Sequence, residues 1–82
     1  MSKKLDYIAR FVIDSEGNRI GESISVYKDL LIIRKENEFY AIPFRHIEKK
    51  DETIIVRGVI EWGNAKKLAE EWKNAQNGYS GK

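Results

Sequence analysis

The segment Leu30-Leu31-Ile32-Ile33-Arg34 does most to limit what this chain can fold into. It follows Lys28-Asp29, precedes the polar turn Lys35-Glu36-Asn37-Glu38, and is succeeded by Phe39-Tyr40-Ala41-Ile42-Pro43. Four apolar residues bounded by turn signals read as a strand, and successive strand side chains point to opposite faces. This strand therefore needs apolar cover on both sides, which a sheet with one wet face does not supply. Phe11-Val12-Ile13 and Ile54-Ile55-Val56 repeat the two-sided pattern. A small barrel hides only the inward half of such runs. The outward half would form the kind of large apolar area that monomers rarely tolerate, which predicts a two-fold homodimer.

The flanking segments complete a set of hairpins. Tyr7 to Ile13 is rich in β-branched and aromatic residues, and Asp14-Ser15-Glu16-Gly17-Asn18 breaks it with a glycine suited to a hairpin loop. Arg19 to Tyr27 is the return strand, with Ile20, Ile24 and Val26 in the phase expected to be buried and Arg19, Ser23 and Ser25 in the wet one. Gly21 inside it predicts a bulge or a close backbone approach. Pro43 cannot donate to a ladder, so a strand ends there and Phe44-Arg45-His46-Ile47 makes one helical or irregular turn. A third hairpin follows with Asp51-Glu52 at its tip and Thr53 to Arg57 as its second strand. The expectation is a mainly β chain: five to six antiparallel strands closing a small β-barrel over residues 7–57.

After Gly58 the period changes to that of an α-helix. Trp62, Ala65, Leu68, Ala69, Trp72 and Ala75 fall on one stripe, with Lys66, Lys67, Glu70, Glu71 and Lys73 opposite. Asn64 reads as the N-cap and Asn77-Gly78 as the stop, so residues 58–76 hold a linker and an amphipathic helix and 77–82 a flexible tail. A helix this short is marginal alone, so its two tryptophans must be buried against the strands or a second subunit. Eighty-two residues make a single domain with one core, and without cysteine that core holds without disulfides.

Charge and motifs exclude more than they select. Fifteen Lys and Arg stand against thirteen Asp and Glu, interleaved along the chain at near parity, where a nucleic-acid binder clusters its cations. His46 is the only histidine, which rules out a two-histidine metal site in one chain, and no Gly-x-Ser-x-Gly elbow accompanies the serines. His46 reads as a structural residue of the turn after Pro43. Asp14-Ser15-Glu16-Gly17-Asn18 fails the spacing of a calcium loop, because glycine comes fourth and the twelfth position is Ser25. Phosphate-binding glycine patterns are missing as well. The expectation is a protein that is not an enzyme and takes no cofactor. No apolar run approaches the ~20 residues that span a bilayer, and Met1 to Asp6 lacks the apolar stretch of a signal peptide, which predicts a cytoplasmic protein.

Two stretches resemble a known family. Phe11-Val12-Ile13-Asp14-Ser15-Glu16-Gly17-Asn18-Arg19-Ile20-Gly21-Glu22-Ser23 resembles the opening of PRC-barrel domains, with their acidic-glycine turn and aliphatic-glycine return. Phe39-Tyr40-Ala41-Ile42-Pro43-Phe44-Arg45-His46-Ile47, followed by Ile54-Ile55-Val56, resembles their aliphatic-proline-aromatic turn and final hairpin. The likeness covers residues 7–57, and the tryptophan-bearing helix is similar to that of a small archaeal subgroup. Such barrels occur in the H subunit of photosynthetic reaction centres, in a ribosome-maturation factor and in small stand-alone proteins. The resemblance implies a non-catalytic adaptor and transfers no catalytic residue.

The leading expectation is thus a protein–protein interaction module with Trp62, Leu68, Trp72, Leu31 and Ile33 at its interface. The alternative is an RNA- or ribosome-associated barrel using Lys28, Arg34, Lys35, Arg45 and Arg57, with Tyr27, Phe39, Tyr40 and Phe44 as a stacking platform.

Overall fold

A computed structural model describes residues 6–80, the last five of them through their backbone alone. The strands are β1 (Phe11–Asp14), β2 (Arg19–Tyr27), β3 (Leu30–Lys35), β4 (Glu38–Pro43), β5 (Ile47–Lys50) and β6 (Thr53–Val56), and one helix, α1 (Trp62–Ser80), follows. A single 3₁₀ turn, Phe44–His46, joins β4 to β5, as the proline foretold. Turn chemistry sets the hairpins. At the β1–β2 loop Asp14 Oδ1 accepts from the backbone N–H groups of Glu16 and Asn18, both at 2.9 Å, and Gly17 takes φ +89°. Glu36 and Asn37 both have positive φ, the two-residue geometry whose twist matches the flanking strands of β3 and β4.

The six strands form one sheet in the order β4-β3-β2-β1-β6-β5. Two parts of the expected barrel do not hold. The sheet is mixed rather than antiparallel, since β1 runs parallel to β6 with Val12 opposite Ile54 and Ile13 opposite Ile55. It is also open, because β4 and β5 are edges that do not pair. The helix covers one of these edges. Its first turns bring Ala65, 4% exposed, and Trp62 against the inner cluster of Val12, Leu31, Ile33, Ile42, Ile54 and Val56. Its next turns lay Ala69, Leu68 and Trp72 on the other side of the sheet, over Ile32, Ala41 and Phe39. The helix therefore straddles the edge strand β4.

This arrangement answers the demand of the Leu30–Ile33 run within one chain. Leu31 and Ile33 face the inner cluster, while Ile32 and Leu30 lie under α1. Both apolar faces of β3 are thus covered without a second subunit. The outward members of the other two runs stay less covered: Phe11 is 52% exposed, and the paired Ile13 and Ile55 are half-buried.

Strand β2 departs from simple alternation. Its register against β3 slips between Ser23 and Ser25, which turns Ile24 to the helix side while Val26 keeps to the inner cluster. Ser23, expected on the wet face, is 1% exposed instead. Its hydroxyl accepts from the Arg10 N–H at 3.0 Å and donates to the Arg10 carbonyl at 3.3 Å, so the buried polar group is satisfied. A second slip lies between Val12 and Ile13 of β1, beside Gly21. The expected bulge is present there, and so is the close approach, because a β-carbon on Gly21 would overlap the Arg34 carbonyl.

The helix starts and ends elsewhere than expected. Its first bond runs from the Ala65 N–H to the Glu61 carbonyl at 2.9 Å, which puts Asn64 inside the first turn rather than at the N-cap. It continues past Asn77-Gly78 to Ser80, so most of the segment expected as a tail is helical, and 81–82 lie outside the described residues. The buried stripe closes at Trp72; Ala75 is exposed.

Candidate functional site

The five expected interface residues do not form one surface. Leu31 and Ile33 are fully buried in the inner cluster and cannot meet a partner. Two-sided burial, the feature that suggested an interface, is instead produced by the sheet on one side and α1 on the other. Trp62, Leu68 and Trp72 are half-buried and chiefly fasten the helix. Trp62 meets Tyr40 edge-on at 5.2 Å, and Trp72 meets Phe39 at 5.6 Å. The indole Nε1 of Trp72 is buried without a hydrogen-bond partner.

The basic residues are likewise dispersed. Lys28 stands at the β2–β3 turn and Arg34 and Lys35 at the far end of β3, while Arg45 lies within the 3₁₀ turn and Arg57 directly follows β6. Carboxylates hold three of them. Lys28 Nζ lies 3.4 Å from Glu71, Arg34 lies 3.5 Å from Glu22, and Arg57 pairs with Glu48. The hydrogen bond to Glu71 raises the Lys28 pKa, and a similar bond from Lys66 to Glu38, at 3.1 Å, raises that of Lys66. Lys35 sits over the rings of Trp62 and Tyr40, at 5.4 and 5.6 Å. The aromatics expected as a stacking platform are also engaged. Phe39 and Tyr40 carry the helix tryptophans, Phe44 meets Tyr7 at 5.2 Å, and Tyr27 lies beneath Lys28.

A different place has the shape of a binding site. Where the 3₁₀ turn meets the start of α1, a cleft of about 140 Å³ opens. Its floor is Ala41, Pro43, Ala65 and Leu68, and Arg45, His46, Val59, Ile60, Glu61 and Asn64 form its sides. A cavity of about 150 Å³ accepts a molecule the size of benzene, so this one has room for a single aliphatic side chain. Val59, on its rim, is 85% exposed, the highest value among the large apolar residues described.

The cleft is held in shape by His46. Its Nδ1 lies 2.9 Å from the carbonyl oxygen of Arg57, to which it donates, and the Arg57 N–H returns a bond to the His46 carbonyl at 2.7 Å. Gly58 follows with φ +83°, and a β-carbon there would come within 2.9 Å of Nδ1. This clamp turns the chain out of β6 and presents Val59 and Ile60 beside the helix. Sequence reasoning treated residues 58–61 as linker. The available signal was two apolar residues, Val59-Ile60, in a segment with neither strand nor helix periodicity.

No helix among the described residues is long and apolar enough to cross a membrane. No curated protein matches the sequence. Residues 8–77, from the segment before β1 through most of α1, match a family of unknown function, and the chain is a member of that family, DUF5749.

Proposed function

We propose that this chain is a non-catalytic protein–protein interaction module, working in the cytoplasm without a cofactor, and that the cleft beside Val59 is its contact point. The observation that carries this reading is the pairing of an apolar socket with an almost fully exposed valine on its rim. An exposed apolar side chain beside a hollow of matching size offers another protein both an anchor and a place to receive one. The hollow has room for one anchor side chain. The dispersal and pairing of Lys28, Arg34 and Arg57 weigh against an RNA surface, which needs unpaired cations along one face.

A photo-crosslinking amino acid at position 59, introduced in the source cell, tests the reading. Protein adducts from position 59, and none from a control at Glu70 on the exposed side of α1, are the expected result. Equal yields from both positions, or none from position 59, would remove the cleft as a contact site.

A further inference from the structure

We infer that the protein seated on this cleft is a second copy of the chain, paired about a two-fold axis so that Val59 of each copy enters the cleft of the other. The inference rests on the interaction reading above and names its partner. Knob and socket lie side by side on one patch, which is what a two-fold interface requires: the same surface must offer both halves of the contact. The charges on the cleft fit the same symmetry. Arg45 and Glu61 both line it, both are exposed, and neither side chain has an ion-pair partner among the described residues. A two-fold axis running across the line from Arg45 to Glu61 sets Arg45 of one copy opposite Glu61 of the other, so a pairing about that axis is self-complementary in charge.

Self-association by strand pairing is disfavoured by the structure. An unpaired strand edge is the usual template for joining two sheets, but here β4 is covered by α1, and β5 is four residues long and carries Glu48, Lys49 and Lys50, all exposed. Lys49 shares the register position of the core residue Ile54, a charge on the phase that faces inward. Sheet extension through β5 is therefore disfavoured.

Sedimentation velocity of the full chain, from low micromolar to near-millimolar concentration, tests the pairing. Reversible growth from 9.6 kDa to twice that mass is expected. Val59→Asp should weaken association by about thirtyfold or more, the loss typical of an interfacial anchor, while its thermal melt at a dilution where both proteins are monomeric stays that of the parent because the side chain is exposed. Arg45→Glu should weaken it too, and Arg45→Glu with Glu61→Arg should restore it. A mass fixed at 9.6 kDa at every concentration overturns the self-pairing, as does a dimer indifferent to Val59→Asp or a charge exchange that fails to restore it. A monomer that still crosslinks from position 59 to a different protein would overturn the self-pairing alone and leave the interaction reading standing.

Discussion

Gly21 lies so close to Arg34 that a β-carbon on it would overlap the Arg34 carbonyl oxygen and sit 3.0 Å from the carbonyl carbon. The contact is backbone against backbone across β2 and β3, so no side-chain rotation can relieve it. Gly21→Ala must push the two strands apart beside the bulge that bends the sheet, and a loss of about 3 kcal/mol in urea denaturation is expected. A change under about 0.5 kcal/mol would mean that β2 can move at this point and that the bulge is not held there.

Trp72 gives a two-part expectation. Truncation to alanine removes the ring that covers Phe39 and the Ile32–Ala41 surface, and should cost about 2–3 kcal/mol because the side chain is half-buried rather than fully so. Trp72→Phe keeps an aromatic ring and discards the buried, unpartnered Nε1–H, whose desolvation is unfavourable. It should cost less than about 1 kcal/mol. Thermal melts of the two variants separate packing from the polar term; equal losses would show that the indole nitrogen makes a bond the fold depends on.

The β1–β2 turn should respond to acid. The backbone N–H of Asn18, with help from those of Glu16 and Gly17, holds the Asp14 carboxyl below its ordinary value of 3.8. A depressed carboxylate contributes stability that is present in full above 3.8 and lost as pH falls below it through the folded value. Asp14→Ala should therefore melt earlier than the parent at pH 7, with the gap narrowing as both are taken into acid. A gap of constant width down to pH 2 would assign the effect to loop conformation rather than to the charge.

The clamp between His46 and the Arg57–Gly58 segment predicts coupling. Gly58→Ala suffers twice, from its positive φ and from the contact with Nδ1, whereas in the His46→Ala background only the φ strain remains. A double-mutant cycle should then show the pair to be non-additive by about 0.5–1 kcal/mol. Strict additivity would place the imidazole away from Gly58 in solution.

Local structure was legible in the sequence wherever a short-range rule applied. Pro43 marked the end of β4, Gly21 the close approach, and the Trp62–Trp72 stripe the helix that packs on the sheet. The parallel pairing of β1 with β6 was not, because it joins residues about forty positions apart and neither strand carries a local signal for its neighbour's direction. The slip at Ile24, which turned that side chain to the helix side and left Ser23 buried, was hidden for a similar reason: a bulge is a property of the ladder, and the Ser23 hydroxyl is satisfied inside by the Arg10 backbone. Leu31 and Ile33 show the limit for the site. An apolar residue in a two-sided run looks the same whether a helix of its own chain or another protein covers it. Val59 was missed for the opposite reason, since nothing periodic surrounds it and its meaning comes from the hollow that His46 and α1 build beside it.

The helix that straddles β4 is synthesised only after all six strands. At ~5–20 residues per second, roughly one to five seconds separate the completion of β6 from that of α1. Through that interval the hairpins can form, but β4 has a bare edge and Ile32 and Ala41 have no lid. Such a nascent sheet offers a hydrogen-bonding rim and an apolar face to any neighbouring chain on the same message. The risk of mispairing is therefore greatest during translation, and a pause placed just before Trp62 would lengthen it.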